Sequence, residues 1–483
     1  MTSHSPRLCA TITADSTAEL RARAAACDAD LVELRLDGVA RPDVKEAISG
    51  LTLPVIVTCR PPSEGGQFAG SESDRHRLLE QAVRSEAAFV DIEWTSGFDD
   101  LVAIRQGRGI VLSYHDFTGV PADLESRVAA MAGGPAEVIK VAVTVRRLAE
   151  CVALRDLARR FGDRHLLVIG MGEAGLITRV CAAWFGAPWA YAGDLAGPGQ
   201  LSLSRMRQEF RFGSIGAETT LYGLFGRPVS HSLSPAMHNA ALGELGLDAV
   251  YLPLAGADAD DCLQFADAFQ MAGASVTSPF KAAIMERLAS WDDDAEQAGA
   301  VNTIRREGRG WTGTNTDGAG FLAALRGTAL AGMRVAILGA GGAARAAARA
   351  LAAEGARVTL YGRNLRRTRE AAARVGVGAA ERPVPRGSWD LLVNATPVGT
   401  HPDAGVSAFP EGAFDGAVVY DLVYNPARTR LLRDAETQGC HGIGGIEMLV
   451  EQARLQLSWW TGRTASAGRM RDAAERRLSA QMS

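Results

Sequence analysis

The sequence predicts an α/β protein in which a closed (β/α)8 barrel precedes a unit of two further α/β domains. In the first ~210 residues, eight short apolar segments alternate with helical segments rich in alanine, arginine and leucine. A Gly/Ser/Thr-containing stretch at 213–219 interrupts this rhythm, and a strand, a glycine turn and a long alanine-rich helix begin at residue 333. An open doubly wound sheet remains the alternative for the first part.

Eight segments of the first part are strand candidates because each is short and apolar and lies between helical segments. In chain order they are RLCATIT, DLVELRLD, LPVIVTCR, AFVDIEW, GIVLSYHDF, EVIKVAVTV, HLLVIGMG and PWAYAGD. Near-continuous apolar runs of this kind are typical of parallel strands that are covered on both faces.

The rhythm also predicts the domain boundaries. Residues 1–213 form the barrel, 219–325 a substrate-binding domain, and 326–445 a Rossmann domain. The C-terminal segment 446–483 completes the substrate-binding domain, with the helix IEMLVEQARLQLSWWTG packing back on it and a charged helical tail from 466.

Composition excludes several function classes. The 483 residues are 47% hydrophobic and 22% charged, with a net charge of −4 and no basic run, which disfavours nucleic-acid binding. No apolar stretch approaches the ~20 residues that span a membrane. The N-terminal sequence enters a strand at once, leaving no room for a targeting peptide, and the seven scattered cysteines indicate reduced thiols. We therefore expect a cytoplasmic protein without a metal site.

Lysine is rare in this chain. Lys45, Lys140 and Lys281 are the three lysines among 51 basic residues. Unlike arginine, lysine can lose its proton when desolvated and act as a nucleophile or base. Lys45, in DVKEAI, fits a helix surface, whereas Lys140 lies in the middle of the apolar strand candidate EVIKVAVTV. Drift under GC-rich coding is the alternative explanation of the count.

Charged and polar side chains gather at the ends of the predicted barrel strands, where reactive groups of such barrels lie. They are Glu33, Arg35, Arg60, Glu64, His115, Lys140, Arg179 and Gln200. Taken singly, a histidine is more often structural, and an arginine beside a glutamate is usually an ion pair. Their convergence on one mouth favours a functional site.

A buried lysine near a histidine indicates a specific chemistry. We expect the valine surroundings of Lys140 to lower the pKa of its amine, which can then condense with a ketone to an imine. The protonated imine makes a neighbouring C–H acidic, and His115 can move that proton and protonate a leaving hydroxyl. Arginines would hold a carboxylate. The combination predicts dehydration of a hydroxy-ketone carboxylate.

The motifs VELRLD, VTCRPPSEGG, SYHDF, VIKVAV, GLITRV and GPGQ, in this order, resemble type I 3-dehydroquinate dehydratase over residues 7–212. The resemblance implies that Lys140 forms the Schiff base, that His115 is the general acid and base, and that Glu64 positions it. It implies substrate contacts from Glu33, Arg35, Arg60, Arg179 and Gln200. One departure is Ala196, where the family usually has serine.

The second half has polar loops around the other candidate lysine. Lys281 follows GASVTSPF, and GRPVSHSLSP, GAVNT and GTNTDG supply Ser232, Ser234, Asn302 and Asp317. Hydroxyls and amides suit a polyhydroxylated ligand, and a lysine with an aspartate can transfer protons. Unrelated surface turns are the alternative.

A dinucleotide motif follows. RVAILGAGGAARAAARAL has Gly339, Gly341 and Ala344 in G-x-G-x-x-A spacing, between a strand and a helix. The next strand, ARVTLYGRN, ends without the acidic residue that binds an NAD ribose. Arg363, Arg366 and Arg367 follow instead, which favours the 2′-phosphate of NADP.

These motifs, with NATPVGT, YDLVYNP and GIEMLVEQA, resemble shikimate dehydrogenase over residues 220–483. The resemblance implies that Lys281 and Asp317 are the catalytic pair. The implied substrate-binding residues are Ser232, Ser234, Thr277, Asn302, Tyr424 and Gln452, and the implied cofactor-binding residues are Gly339, Gly341, Gly342, Ala343, Arg363, Arg367, Thr396 and Gly445. Ser275 replaces an asparagine of many bacterial members.

Together the two resemblances imply a bifunctional enzyme that dehydrates 3-dehydroquinate and reduces the product, 3-dehydroshikimate, to shikimate with NADPH. The expected partners are these small molecules alone, and the oligomeric state stays open. Two alternatives remain: the second half acts on quinate, or the chain is a non-catalytic sensor of quinate use, which would be expected to have lost catalytic residues.

Overall fold

The computed structural model describes residues 5–193, 199–410 and 414–482, so Ala196 lies outside the described residues. The chain divides into two compact units. The first comprises Met1–Ser230 and Asp248–Met271, and the second comprises His231–Leu247 and Ala272–Ser483.

The first unit contains the predicted barrel. Its strands are β1 (Arg7–Ile12), β2 (Leu31–Arg35), β3 (Val55–Thr58), β4 (Phe89–Glu93), β5 (Ile110–Asp116), β6 (Val138–Thr144), β7 (His165–Met171) and β8 (Trp189–Ala192). They lie in the order β7-β6-β5-β4-β3-β2-β1-β8, and all ladders are parallel. Since β1 pairs with both β2 and β8, the sheet curls into a nearly closed TIM barrel, and the eight predicted strands are confirmed.

Helices follow the barrel strands and cover the outer face. They are α1 (Thr17–Ala25), α2 (Val44–Ile48), α3 (Glu72–Val83), α4 (Asp99–Ile104), α5 (Leu124–Ala132), α6 (Leu148–Arg160) and α7 (Ile177–Val180). The unit continues with the parallel pair β9 (Thr220–Gly226) and β10 (Ala249–Ala255) and with α9 (Ala259–Ala268), which packs on α6. The intervening helix α8 (Ser234–Glu244) belongs to the second unit.

The second unit contains four short strands before its Rossmann part. β11 (Gly273–Val276), β13 (Thr303–Glu307) and β14 (Gly310–Thr314) pair antiparallel in this order, and β12 (Ser290–Trp291) joins β14 in parallel. The connecting helices are α10 (Lys281–Met285), α11 (Asp293–Ala298) and α12 (Asp317–Ala323). The C-terminal helices are α16 (Gly445–Thr461) and α17 (Ala467–Met482). They pack against this part of the second unit, where Trp460 Nε1 of α16 donates to the Ile304 carbonyl of β13 at 3.0 Å.

The rest of the second unit is a Rossmann fold. Its strands are β15 (Arg334–Leu338), β16 (Arg357–Gly362), β17 (Gly378–Glu381), β18 (Leu391–Asn394), β19 (Val418–Asp421) and β20 (His441–Ile443). All pair in parallel in the order β17-β16-β15-β18-β19-β20, which is the 3-2-1-4-5-6 order of dinucleotide-binding sheets. The helices are α13 (Gly342–Ala353), α14 (Leu365–Ala373) and α15 (Arg430–Thr437).

Helix α13 illustrates how the sequence builds this fold. Alanine has the highest helix propensity, and the buried residues Ala344, Ala347, Ala348 and Leu351 recur at helical spacing along one face. Small side chains on that face let the helix lie close to the sheet. The glycine turn before α13 is thereby fixed beside the edge where β15 and β18 end.

Candidate active sites

The first candidate site is a cavity of about 640 Å³ in the barrel unit. All eight residues predicted from the strand ends line it: Glu33, Arg35, Arg60, Glu64, His115, Lys140, Arg179 and Gln200. Parallel strands present their C-terminal ends on one side of a barrel, which brings residues from distant parts of the chain together.

Lys140 lies at the base of this cavity. Its strand β6 pairs with β5 and β7, and its side chain is buried. Nζ lies 3.0 Å from Asp91 Oδ2 and 3.8 Å from Glu33 Oε1, and 4.6 Å from the centre of the Tyr191 ring. The amine therefore has acidic neighbours besides valines, and Asp91 was not among the predicted site residues.

Asp91 belongs to a buried group of charges. Arg60 Nη2 lies 2.9 Å from Asp91 Oδ2, and Arg60 Nη1 donates to Glu93 Oε1 and Ser113 Oγ at 2.8 Å each. Burial opposes ionisation of Asp91, but Arg60 and Lys140 outweigh it and hold the pKa of this carboxyl well below its usual range. The guanidinium of Arg60, implied as a substrate contact, is thus already bonded to three protein groups.

His115 and Glu64 form the contact that the resemblance implied. His115 Nδ1 lies 2.8 Å from Glu64 Oε2, and Thr95 Oγ1 donates to the other Glu64 oxygen at 3.0 Å. Burial, with Arg60 and Lys140 nearby, holds the pKa of His115 well below its ordinary value. Burial raises the pKa of Glu64. A neutral imidazole held through one nitrogen can accept a proton at the other.

The remaining cations of the cavity differ in what they can offer a ligand. Arg35 makes a two-pronged contact with Asp37, with both hydrogen bonds at 2.8 Å. Arg179 is buried and donates to the Gly170 carbonyl at 2.9 Å, and burial lowers its pKa to about 10. Among the described residues, no carboxylate lies within ion-pair distance of Arg179, so its charge can receive an anion.

The second candidate site centres on Lys281, the first residue of α10. Its Nζ donates to Asp317 Oδ2 at 2.5 Å, and Asn302 Nδ2 donates to Asp317 Oδ1 at 2.7 Å. Asp317 begins α12, and its backbone N–H donates to Asn315 Oδ1 at 3.0 Å. Three separate segments of the chain thus place a lysine and an amide in direct contact with one carboxylate.

Ser275 belongs to a group of buried, hydrogen-bonded polar side chains in the second unit. Its hydroxyl donates to Gln456 Oε1 at 2.9 Å, and Gln456 Nε2 donates to the Asn302 carbonyl at 3.3 Å. His238 Nε2 lies 3.3 Å from the same Gln456 oxygen, and burial lowers the pKa of His238 to about 3. Serine at 275 is therefore hydrogen-bonded to the framework that carries Asn302.

The other predicted substrate residues are placed less tightly. Ser232 Oγ accepts from the N–H of Ser234, the first residue of α8, at 3.2 Å. The Thr277 carbonyl accepts from Phe280 N at 3.0 Å in the turn before α10. Gln452 lies on α16, where its backbone packs against Gly320. The contacts of the described residues do not join these side chains to Lys281 or Asp317.

The third candidate site is a cavity of about 650 Å³ at the switch point between β15 and β18. Gly339, Gly341, Arg363, Arg367 and Thr396 line it, as predicted for cofactor binding. The lining also includes Arg345, Arg374 and Arg382, which the sequence motifs did not indicate.

The residues of this cavity fit a dinucleotide. Gly339 has φ +120°, and a Cβ there would stand 3.0 Å from the Ala395 carbonyl. Gly341 caps α13 without a side-chain hydrogen bond, and a Cβ on Gly341 or Gly342 would meet nothing within 4 Å. An open helix N-terminus attracts phosphate, and several arginines beside it suit a further phosphate group.

A neighbouring cavity of about 550 Å³ joins other predicted residues. Ala343, Thr396 and Tyr424 line it, together with His231 and His401. Burial raises the pKa of the Tyr424 hydroxyl.

Gly445 has a packing role. It begins α16, and a Cβ on it would stand 2.4 Å from the Leu422 carbonyl. Only a residue without a side chain fits this approach.

Two further findings concern the described part of the chain. No helix in it combines the length and the apolar character needed to cross a membrane. Likewise, it contains no group of three or more His, Cys, Asp or Glu side chains arranged to hold a metal ion.

Comparisons with known families match both halves. The family described as type I 3-dehydroquinase matches residues 8–216, and the shikimate dehydrogenase substrate-binding domain matches residues 224–304. The shikimate 5′-dehydrogenase C-terminal domain matches residues 445–475.

Curated relatives and a solved structure extend these matches. The chain is 32% identical to the chloroplastic bifunctional 3-dehydroquinate dehydratase/shikimate dehydrogenase of Arabidopsis thaliana, over 94% of this chain and 82% of that protein. It is 43% identical to a shikimate dehydrogenase (NADP(+)) of Methanopyrus kandleri, over 54% of this chain and 96% of that protein. A solved shikimate dehydrogenase in complex with NADP+ is 34% identical with a TM-score of 0.52, covering 55% of this chain and 97% of that chain. This chain belongs to the family of bifunctional 3-dehydroquinate dehydratase/shikimate dehydrogenases.

Proposed function

We propose that the barrel dehydrates 3-dehydroquinate to 3-dehydroshikimate through a Schiff base on Lys140, and that the second half reduces this product to shikimate with NADPH. The observation that carries the proposal is one cavity that joins a buried lysine amine, a histidine held by a glutamate, and an arginine without a carboxylate partner among the described residues. These are the groups that imine formation, proton transfer and carboxylate binding require.

The dehydration begins at Lys140. Its ammonium gives up a proton, the neutral amine attacks the substrate ketone, and return of that proton with loss of water gives a protonated imine. His115 removes a proton from the adjacent carbon, the electron pair moves into the imine, and the hydroxyl on the next carbon leaves with the proton that His115 returns. Water then hydrolyses the imine, which releases the enone product and restores the amine.

The acidic neighbours of Lys140 suit this route. A protonated imine keeps the positive charge of the ammonium, so Asp91 at 3.0 Å and Glu33 at 3.8 Å stabilise it. Arg179 is the proposed ligand of the substrate carboxylate, because described carboxylates do not neutralise it. The proposed substrate contacts of Glu33, Arg35, Arg60 and Gln200 rest on their places around the same cavity.

The reduction uses the pair of Lys281 and Asp317. NADPH, when bound, supplies the hydride that reduces the ketone of 3-dehydroshikimate. Lys281 gives a proton to the carbonyl oxygen, and Asp317 holds the ammonium at 2.5 Å and can return a proton to the amine. Asn302 fixes the second oxygen of Asp317. We propose that Ser232, Ser234, Thr277, Tyr424 and Gln452 bind the hydroxyls and carboxylate of the ring.

The chain's own residues favour NADP. Gly339, Gly341, Gly342 and Ala343 would leave room for the pyrophosphate at the start of α13. Arg363 and Arg367 would bind the 2′-phosphate, and Thr396 and Gly445 would lie on the nicotinamide side.

The domain division and the compartment are also proposals. We retain a barrel at 1–213, a substrate-binding domain at 219–325 completed by 446–483, and a Rossmann domain at 326–445. All seven cysteines are free, and six of them are buried, which fits a reducing cytoplasm.

Trapping of the imine tests the barrel reaction. Sodium borohydride added to the protein with 3-dehydroquinate should reduce the imine to a stable amine, and mass spectrometry should find the added mass on the peptide that contains Lys140. The Lys140→Ala variant is the control and should gain no mass. An adduct on another lysine, or none in the active protein, would contradict the assignment.

A further inference from the structure

A line of buried charges extends from Lys140 to Arg75 on α3. We propose that Glu93 and Arg75 are positioning residues of the dehydratase, which hold Arg60 and Asp91 in place and thereby set the environment of the lysine amine. This inference rests on the proposed dehydratase function, but it concerns two residues that do not line the cavity.

The contacts are continuous. Asp91 lies between Lys140 at 3.0 Å and Arg60 at 2.9 Å. Arg60 reaches Glu93 at 2.8 Å, and the other Glu93 oxygen lies 2.5 Å from Arg75 Nη1. Each link is a charge-assisted hydrogen bond, the strongest class that side chains form.

The strand geometry explains why two acids meet one arginine. Asp91 and Glu93 are two positions apart on β4, so both side chains point to the barrel interior. Arg60 follows β3, the neighbouring strand, and its guanidinium bridges the two carboxylates. Removing either contact would leave the guanidinium free to swing towards the other acid.

The buried charges balance. Lys140, Arg60 and Arg75 carry three positive charges, and Glu33, Asp91 and Glu93 carry three negative charges, all on side chains that are at most 6% exposed. An unpaired charge at such depth is costly, so each ion fixes the position of the next. The protonated imine preserves this balance, because its charge replaces that of the ammonium.

Arg75 is the outer anchor of the line. It comes from α3, yet its side chain is only 1% exposed. It donates to Glu93 and to the Cys59 carbonyl, is stacked over the Phe98 ring at 4.6 Å, and is held from outside by Glu72 at 2.7 Å. An arginine used only for surface pairing would not be buried in this way.

The same helix offers a matched control. Arg77 is also paired with an acid three residues earlier, Asp74, but its side chain is 68% exposed. Arg75→Met and Arg77→Met therefore remove the same charge from the same helix, and only the first removes a contact to Glu93.

We expect Arg75→Met to lower the kcat of dehydration by roughly 10- to 100-fold, with KM for 3-dehydroquinate changed less than about threefold, because the amine is displaced while Arg179, the proposed ligand of the substrate carboxylate, lies outside the line and stays in place. Arg75→Lys should recover part of this loss. Arg77→Met should match the wild type. Circular dichroism and thermal unfolding establish that each variant is folded, and the reductase reaction reports on the second unit.

A double variant separates positioning from general stability. If Arg75 acts through Glu93, then Arg75→Met combined with Glu93→Gln should lower kcat no more than Glu93→Gln alone, within about threefold, because the two residues form one unit. The double variant also removes one charge of each sign and leaves the balance intact, so it should fold even if Arg75→Met does not.

Several results would overturn the inference. A folded Arg75→Met protein with wild-type kcat would do so, as would a double variant whose loss is the product of the two single losses. A change confined to KM would place these residues in substrate binding instead. A wild-type protein without dehydratase activity would refute the proposed function itself. This outcome is distinguishable from failure of the inference, because it is observed in the wild type and needs no variant.

Discussion

His238 should make the second unit sensitive to acid. This side chain is fully buried on α8, where it contacts Gln456 and lies 5.4 Å, centre to centre, from the Trp460 ring. Burial lowers its pKa to about 3, whereas an unfolded histidine has a pKa of about 6.5. The unfolded chain therefore binds a proton between these values that the folded chain does not.

The sign and size of the effect follow from this difference. Above about pH 6.5 both states are neutral and the full stability is present; as the pH falls from there towards about 3, stability is lost. Each pH unit is worth about 1.4 kcal/mol, so at about pH 5 the loss is about 2 kcal/mol.

Urea unfolding at about pH 7 and pH 5 measures this loss. We expect the wild type to lose about 2 kcal/mol more than His238→Phe, which cannot titrate but keeps a ring against Trp460. His441→Gln, at an exposed histidine of β20, is the control and should behave as the wild type does. Equal pH dependence in the wild type and His238→Phe would refute the reasoning.

Three other predictions concern activity. Lys140→Ala should abolish the dehydratase and spare the reductase, and Lys281→Ala should do the reverse; loss of both activities in either variant would indicate misfolding or a shared site. Arg363→Ala with Arg367→Ala should raise KM for NADP+ by roughly 100-fold or more but leave KM for NAD+ little changed, since charge-assisted bonds to the 2′-phosphate are worth about 1.5–3 kcal/mol each and two are lost; steady-state kinetics with both cofactors checks this. Gly339→Ala should weaken cofactor binding and lower the melting temperature, because φ +120° strains any side chain and the Ala395 carbonyl is 3.0 Å away; unchanged affinity by calorimetry would contradict it.

The barrel could be predicted well from the sequence because local signals carry it. Each strand is marked by a short apolar run, and the C-terminal ends of parallel strands meet at one mouth whatever their separation in the chain. Residues as distant as Glu33 and Gln200 could therefore be assigned to one cavity from their strand-end positions alone.

The charged partners of Lys140 were harder to predict. Asp91 and Glu93 lie in an otherwise apolar strand. Nothing in the local sequence indicates that Arg60 bridges their two carboxylates. The available signal was their two-residue spacing, which puts both on one face of β4. The sequence around Arg75 carries a weaker signal, because burial of a helical arginine depends on tertiary packing.

In the second unit, too, the fold could be predicted from the sequence but the contacts between distant residues could not. Its strand, glycine turn and helix predicted the Rossmann fold, which the strand order confirms. The contacts of Gln456 with Ser275 and Asn302 join residues more than 150 positions apart, and no sequence periodicity encodes them. The short strands β12 and β17 likewise form by pairing with neighbours rather than by their own pattern.

Substrate preference in the second half needs a separate comparison. Oxidation of shikimate and of quinate by NADP+ in parallel distinguishes the two dehydrogenase assignments, because quinate carries an extra hydroxyl near the predicted residues Ser232 and Ser234. Faster turnover of shikimate supports the proposal, and faster turnover of quinate would reverse it. The sensor alternative is disfavoured by the presence of Lys140, His115, Lys281 and Asp317.

The most direct test follows both reactions in one cuvette. Purified protein is mixed with 3-dehydroquinate without cofactor, the enone absorbance is recorded, and NADPH is then added. We expect the enone to appear first and then to disappear as NADPH is consumed. Lys281→Ala should stop only the second phase, and Lys140→Ala should stop the first and, for lack of product, the second. Consumption of NADPH without prior enone would contradict the barrel assignment, and absence of both signals would favour the sensor.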